Sequence, residues 1–195
     1  SILKNKSLIS VDTETNSLYP IEADLVGISF CYAPNCACYI PLKHSSEKCL
    51  DKNLVLNKIK TILEDKSIKK IGQNIKFDNI ILKKYNINTE PLEDTMLISY
   101  TLDAGINRHN LDILSEIHLG HKTITFKDLV GTGKNKITFL DVDLNKATEY
   151  AGEDADVTFR LYEILKERLD KEKLNKIYEL FEKPLIKILS DMEIN

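Results

Sequence analysis

Glycine and proline are scarce in this 195-residue sequence, at seven and five residues, which excludes collagen-like, linker-like and low-complexity chains. No run of 18 apolar residues occurs, and the opening Ser1-Ile2-Leu3-Lys4-Asn5-Lys6 lacks the apolar core of a secretory leader. Neither a membrane span nor secretion is therefore indicated. The four cysteines, Cys31, Cys36, Cys38 and Cys49, contain no C-x-x-C pair and have no companion histidine cluster. That spacing argues against structural zinc and for reduced thiols in a cytosolic-type compartment. A basic surplus is missing as well: the net charge is −3, unlike that of domains that grip nucleic acid by bulk electrostatics, although contact through metal ions stays open. What is present, 43% hydrophobic and 29% charged residues, is the make-up of a globular domain with a core of its own.

Short apolar, β-branched or aromatic runs at 8–11, 25–32 and 37–40, separated by Asn16, Ser17 and Pro20 and closed by Pro41, predict three strands in an antiparallel meander. Asp51 is placed to cap a helix whose apolar positions are Leu54, Val55, Ile59, Ile62 and Leu63, and 68–71 reads as a further strand. Helix dominates from Asn74 onward, over 75–84, 94–102, 111–119 and about 144–169. The stretch 122–140, with Gly131 and Gly133, reads as a loop. A meander first and helices later predicts an α/β or α+β domain with its first strand central, the layout of ribonuclease-H-like folds.

Three segments carry candidate chemistry. Asp12 and Glu14 end an apolar strand and, two residues apart, project from one face. Two carboxylates so close repel unless a cation lies between them, and hard divalent cations take oxygen ligands. Alone, the pair reads more readily as a solvated strand end. Asn74 and Asp78, in Gly72-Gln73-Asn74-Ile75-Lys76-Phe77-Asp78, stand four apart at a helix start, where Asn74 also suits an N-cap and Asp78 a first-turn acid. Tyr150 and Asp154 stand four apart inside the long helix, where a phenol beside a carboxylate can orient water.

A strand-end D-x-E, then N-x-x-x-D, then Y-x-x-x-D resembles the three motifs of the DEDD 3′–5′ exonucleases, in their Tyr-type subgroup. With Arg108-His109-Asn110-Leu111-Asp112, 121–126 and Gly133-Lys134-Asn135, the similarity extends over essentially the whole chain to the proofreading exonuclease domain of bacterial-type DNA polymerase I. It implies a mixed five-stranded sheet, its first three strands antiparallel, flanked by helices. Residues 1–170 are expected to form the exonuclease domain. Residues 171–195, which include Phe181-Glu182-Lys183-Pro184, are expected to form a helical connector into a polymerase domain absent from this piece, which opens without Met.

The resemblance further implies two divalent cations, Mg²⁺ with Mn²⁺ or Zn²⁺ as alternatives in one site. Asp12 would bridge both, Glu14 and Asp154 would complete the first site, and Asp78 would serve the second. Tyr150 joins these four as a catalytic residue. Thr13, Leu18, Asn74, Phe77, Arg108 and Phe126 would meet the substrate, a single-stranded DNA 3′ end, with Leu18 and Phe126 as apolar walls; core packing is the other reading for those two. Lys76, Lys122 and Lys134 are further candidates to hold phosphates. The expected product is a nucleoside 5′-monophosphate, and the expected setting is a monomeric domain away from membranes, in the bacterial cytoplasm at the nucleoid or in an organelle. Phe77, where relatives often carry Tyr, and Gly152, inside a helix, depart from the family pattern without touching a metal ligand. Two alternatives stand beside this reading: a ribonuclease D-like RNA trimmer, and a catalytically silent domain that braces a polymerase.

Overall fold

The computed structural model, which describes residues 2–133 and 136–194, is built around strand β1 (Leu8–Thr15). Strands β2 (Leu25–Cys31) and β3 (Ala37–Pro41) follow as the antiparallel meander, and β4 (Lys69–Gly72) and β5 (Leu92–Asp94) add in parallel on the other side. The spatial order is β3-β2-β1-β4-β5, so β1 is central. Lys134 and Asn135 lie outside the described residues.

Opposite faces of β1 bury different residues. Ile9 and Val11, with Ile28 and Phe30 of β2, pack beneath helix α1 (Lys52–Leu63) and helix α2 (Ile75–Lys83). Asp51 caps α1 as expected, accepting from Leu54 N–H at 2.7 Å. The other face lies under the 28-residue helix α6 (Leu144–Lys171), which sits close to the sheet through Ala147, Ala151 and Ala155, all buried. Ser10 Oγ donates to Ala155 C=O at 2.7 Å, which fixes the height of α6 over β1.

Helices α3 (Thr95–Asp103) and α4 (Leu111–Leu119) flank α6. The stretch read as a loop, 122–140, contains helix α5 (Phe126–Val130), closed by a Thr125–Asp128 capping box, and a 3₁₀ turn at Phe139–Asp141. Five residues of helix are too few to show a period in sequence. β5 escaped for the same reason, being three residues long. Asp94, read as the start of a helix, ends β5 and caps two helices at once. It accepts from Asn74 and Ile75 N–H at the start of α2, at 3.1 and 3.0 Å, and from Met96 and Leu97 N–H at the start of α3, at 2.9 and 3.4 Å.

Beyond α6 the chain turns through α7 (Asn175–Ile177) and a π-helical turn into α8 (Lys183–Ile194). This segment packs back on the domain. Tyr178 is fully buried and its hydroxyl accepts from Asp94 N–H at 3.1 Å, while Asn79 Nδ2 of α2 donates to Ser190 Oγ of α8 at 3.1 Å. Among the described residues no helix is long and apolar enough to cross a membrane.

Candidate metal centre

β1 outruns β4. The parallel pairing ends at Ser10 opposite Ile71, so the backbone of β1 beyond that point has no strand on its β4 side. α2 begins just there, and Asp78 in its first turn takes the free edge: it accepts from Thr13 N–H at 2.8 Å and from Thr13 Oγ at 2.6 Å. Thr13 points to the α2 face of the sheet, whereas Asp12 and Glu14 point to the α6 face. A bulge in the β1–β2 ladder at Glu14/Thr15 bends the strand end, a device common beside functional sites.

From α6, Asp154 comes down on Asp12 and Glu14. One carboxylate oxygen from each of the three lies within 4.8 Å of the others. Asp78 stays outside that group, tied to Thr13. Burial and the neighbouring charges push all four acids up. Asp12 rises to about 8, by burial first and Asp154 second, and Asp154 rises to about 7, mainly by burial. Glu14 and Asp78 are pushed well above the usual carboxylate range by burial and then by their neighbours, Asp12 foremost.

Among the described residues no Lys, Arg or His forms an ion pair with any of the four. Glu14 Oε1 is buried and has no hydrogen-bond partner. Three converging carboxylates, one with an orphaned buried oxygen and none with a protein counter-charge, are the donor set a hard divalent cation requires. The residues present therefore fit the implied metal.

Tyr150 stands one turn before Asp154 and places its hydroxyl beside that carboxylate, whose charged form it favours. Its phenol is held far above its ordinary pKa, by burial first and then by Asp154, Glu14 and Asp12, so it stays protonated and acts as a donor. The Tyr150 ring meets Phe126 and Phe139 edge-on, both at 6.3 Å between centroids, and Phe126 lies parallel to Phe139 at 6.4 Å. Phe126 is 40% exposed and Leu18 is 87% exposed, so neither belongs to the core, which removes core packing as an account of them.

The remaining expected residues fall at different distances from this centre. Asn74 is exposed, adopts φ 58°, and makes no side-chain cap, because Asp94 already serves the start of α2. Phe77 is partly buried against the α1 side of the core. Arg108 is exposed and lines a groove with Met96, Tyr100 and His109 rather than the acids. That groove shares Met96 and Leu97 with a second one that holds Asn74 and Lys76. Lys76 is paired with Glu193 of α8, and Lys122 is exposed. Sequence reasoning missed Gly27 and Ser29, which oppose Glu14 and Asp12 across the β1–β2 pair, and Tyr39 and Phe139, which join the ring cluster around Tyr150; none of them belongs to a motif.

Comparison with known proteins gives this geometry a family. A family model described as 3′–5′ exonuclease, of the A-type DNA polymerases, matches residues 1–170. DNA polymerase I of Rhizobium leguminosarum is 43% identical over 206 residues, covering 95% of this chain and 20% of that protein. DNA polymerase I of Pseudomonas aeruginosa is 39% identical, covering 99% of the chain and 22% of that protein. The chain thus spans about a fifth of the length of these relatives. Among solved structures, Brucella melitensis NrnC superposes with a TM-score of 0.76 at 22% identity, over 97% of this chain and 86% of that one. Escherichia coli RNase D, an exoribonuclease, gives 0.72 at 15% identity, over 100% and 47%. Likeness at that identity concerns the fold, which is ribonuclease-H-like.

Proposed function

The chain belongs to the 3′–5′ exonuclease family of A-type DNA polymerases, and on that footing we propose that it removes the 3′-terminal nucleotide from single-stranded or frayed DNA as the proofreading domain of a DNA polymerase I. The observation that carries the reading is the trio Asp12, Glu14 and Asp154, drawn together without a protein counter-charge and with Glu14 Oε1 orphaned.

Asp12, Glu14 and Asp154 would hold one divalent cation, and Asp12 with Asp78 a second, with Mg²⁺ as the expected ion. Such cations supply neutralising charge at a scissile phosphate and ease loss of a proton from water. The protein's own groups do the rest. Thr13 spends its N–H and hydroxyl on Asp78 and so fixes that carboxylate at the open edge of β1. Ser10 locks α6, and with it Asp154, to the strand that carries Asp12. Tyr150 donates to Asp154 and orients it, leaving the attacking water to be aimed by Tyr150 and Glu14. No histidine is needed as a base.

The exposed Phe126 face and the side chain of Leu18 supply apolar walls for terminal bases. Stacking of that kind is indifferent to sequence and worth about 1–3 kcal/mol per base, which suits an editor that must accept any nucleotide. Asn74 and Arg108 lie along the grooves by which the preceding nucleotides would leave. We read 171–195 as the connector into a polymerase domain, and the setting as the cytoplasm.

The test is release of nucleotide from 3′-labelled single-stranded DNA and from RNA of the same sequence. The expected outcome is monophosphate release from DNA in Mg²⁺, abolished by chelator and lost in Asp12→Ala with the fold intact. Faster release from RNA would favour the ribonuclease D-like alternative, and no release in any divalent metal would favour the silent domain.

A further inference from the structure

The floor of the acid site is completed by residues of β2 and β3. Glu14 faces Gly27 directly across the β1–β2 pair, and Asp12 faces Ser29, which in turn faces Tyr39 across β2–β3. Opposed residues of an antiparallel pair share a face, so Glu14, Gly27 and Tyr39 all look toward α6.

Tyr39 does not stand upright in its own row. A Cβ built on Gly27 would overlap Tyr39 Oη, Cε2 and Cζ, so the ring leans across Gly27 and its hydroxyl fills the place of the missing side chain. Opposed Cβ atoms are about 4.5–5.5 Å apart, so that hydroxyl occupies the place of the side chain that would stand opposite Glu14. Phe139 braces the other side of the ring edge-on, at 6.4 Å and 78°. Glu14 is otherwise held weakly, since its Oε1 has no hydrogen-bond partner.

We propose that Tyr39 is a positioning residue for Glu14: its ring, laid over Gly27 and braced by Phe139, holds the carboxylate in the conformation that binds the divalent cation, and Gly27 is needed to let the ring pass. The inference rests on the metal reading given above.

Its test is Mn²⁺ affinity by calorimetry, beside kcat and KM for DNA in Mg²⁺, in Gly27→Ala, Tyr39→Ala, Tyr39→Phe and the Gly27→Ala/Tyr39→Ala double variant. Outer residues that orient a ligand typically change metal affinity 10- to 100-fold. Gly27→Ala and Tyr39→Ala are each expected to weaken Mn²⁺ binding about tenfold and to leave KM for DNA within about twofold. The double variant should be no weaker than the worse single one, because both remove one ring from one place. Tyr39→Phe keeps the ring and should bind Mn²⁺ nearly as wild type. Wild-type affinity in a folded Gly27→Ala, additive losses, or a Tyr39→Phe as weak as Tyr39→Ala would overturn the proposal. If Gly27→Ala does not fold, the comparison of Tyr39→Ala with Tyr39→Phe decides alone. A wild-type protein that neither binds Mn²⁺ nor releases nucleotide would instead sink the metal reading itself.

Discussion

Asp12 shows what the site costs the protein when no cation is bound. Folded, its carboxyl keeps its proton to about pH 8, through burial and the nearby Asp154, against an ordinary value of 3.8. Between those limits the folded state binds more protons than the unfolded one, so this group's contribution makes stability fall as pH rises. Asp12→Asn escapes that loss. In chelator its melting temperature should exceed wild type by an amount that grows from pH 4 to about pH 8 and then levels off. The gain should be on the order of several kcal/mol, since each pKa unit between the folded and unfolded values is worth about 1.4 kcal/mol. At about 2–4 °C per kcal/mol for a chain of this size, that is readily seen by calorimetry. A variant less stable than wild type at pH 8 in chelator would contradict the idea that the trio is strained. Saturating Mg²⁺ should reverse the order, since only wild type gains from the ion.

The same scale shows what sequence can and cannot disclose. Asp12, Glu14, Asp78, Tyr150 and Asp154 were legible because each pair lies within one turn or two strand positions, so spacing alone predicts a shared face. That the site would bring three of the acids within 4.8 Å and leave Asp78 on Thr13 was not, because it depends on β1 outrunning β4. Gly27 and Tyr39 were silent for a related reason. Their closeness to Glu14 is a matter of register across three strands.

At the scale of elements, helices with several turns of periodic apolar residues stood out, and α2, α3, α4 and α6 fall within two residues of the expected bounds at each end. Short elements did not: β5 and α5 are defined by Asp94 and by the Thr125–Asp128 box rather than by hydrophobic pattern. Asp94 joins two helix starts, so Asp94→Ala removes two caps together. A single cap is worth about 1 kcal/mol, and the variant should lose about 2 kcal/mol in denaturant melts. A loss below 0.5 kcal/mol, on the order of nothing for a cap, would show that the other buried groups replace it. Gly152 makes the opposite case. A Cβ there would meet only Ala37, at 3.9 Å, an ordinary contact. Gly152→Ala should therefore raise stability by up to about 1 kcal/mol, the usual helix-interior difference, with nucleotide release unchanged. A loss of activity would mean that α6 needs the freedom of glycine beside Asp154.

For the whole molecule, the sheet order and the segment after α6 connect site and tail. β1, at the centre, carries two of the acids, while α6 packs across β3, β2, β1 and β4 to deliver Asp154 and Tyr150. α8 packs on α2 next to Asp78 through the Asn79–Ser190 contact, and it seals β5 with Lys183, which pairs with the buried Glu93 at 2.7 Å. Sequence suggested a helical connector there but not its docking, since α8 buries Ile186 and Ser190 and leaves Ile188, Leu189 and Met192 exposed.

The claim on which all of this depends is that Asp12, Glu14 and Asp154 jointly ligate a divalent cation. A crystal of the protein grown in Mn²⁺, measured at a wavelength where manganese scatters anomalously, tests it most directly. The account predicts an anomalous peak bonded to oxygens of all three carboxylates and absent from Asp12→Ala crystals; Mn²⁺-dependent release of nucleotide from DNA with no peak among them would contradict it.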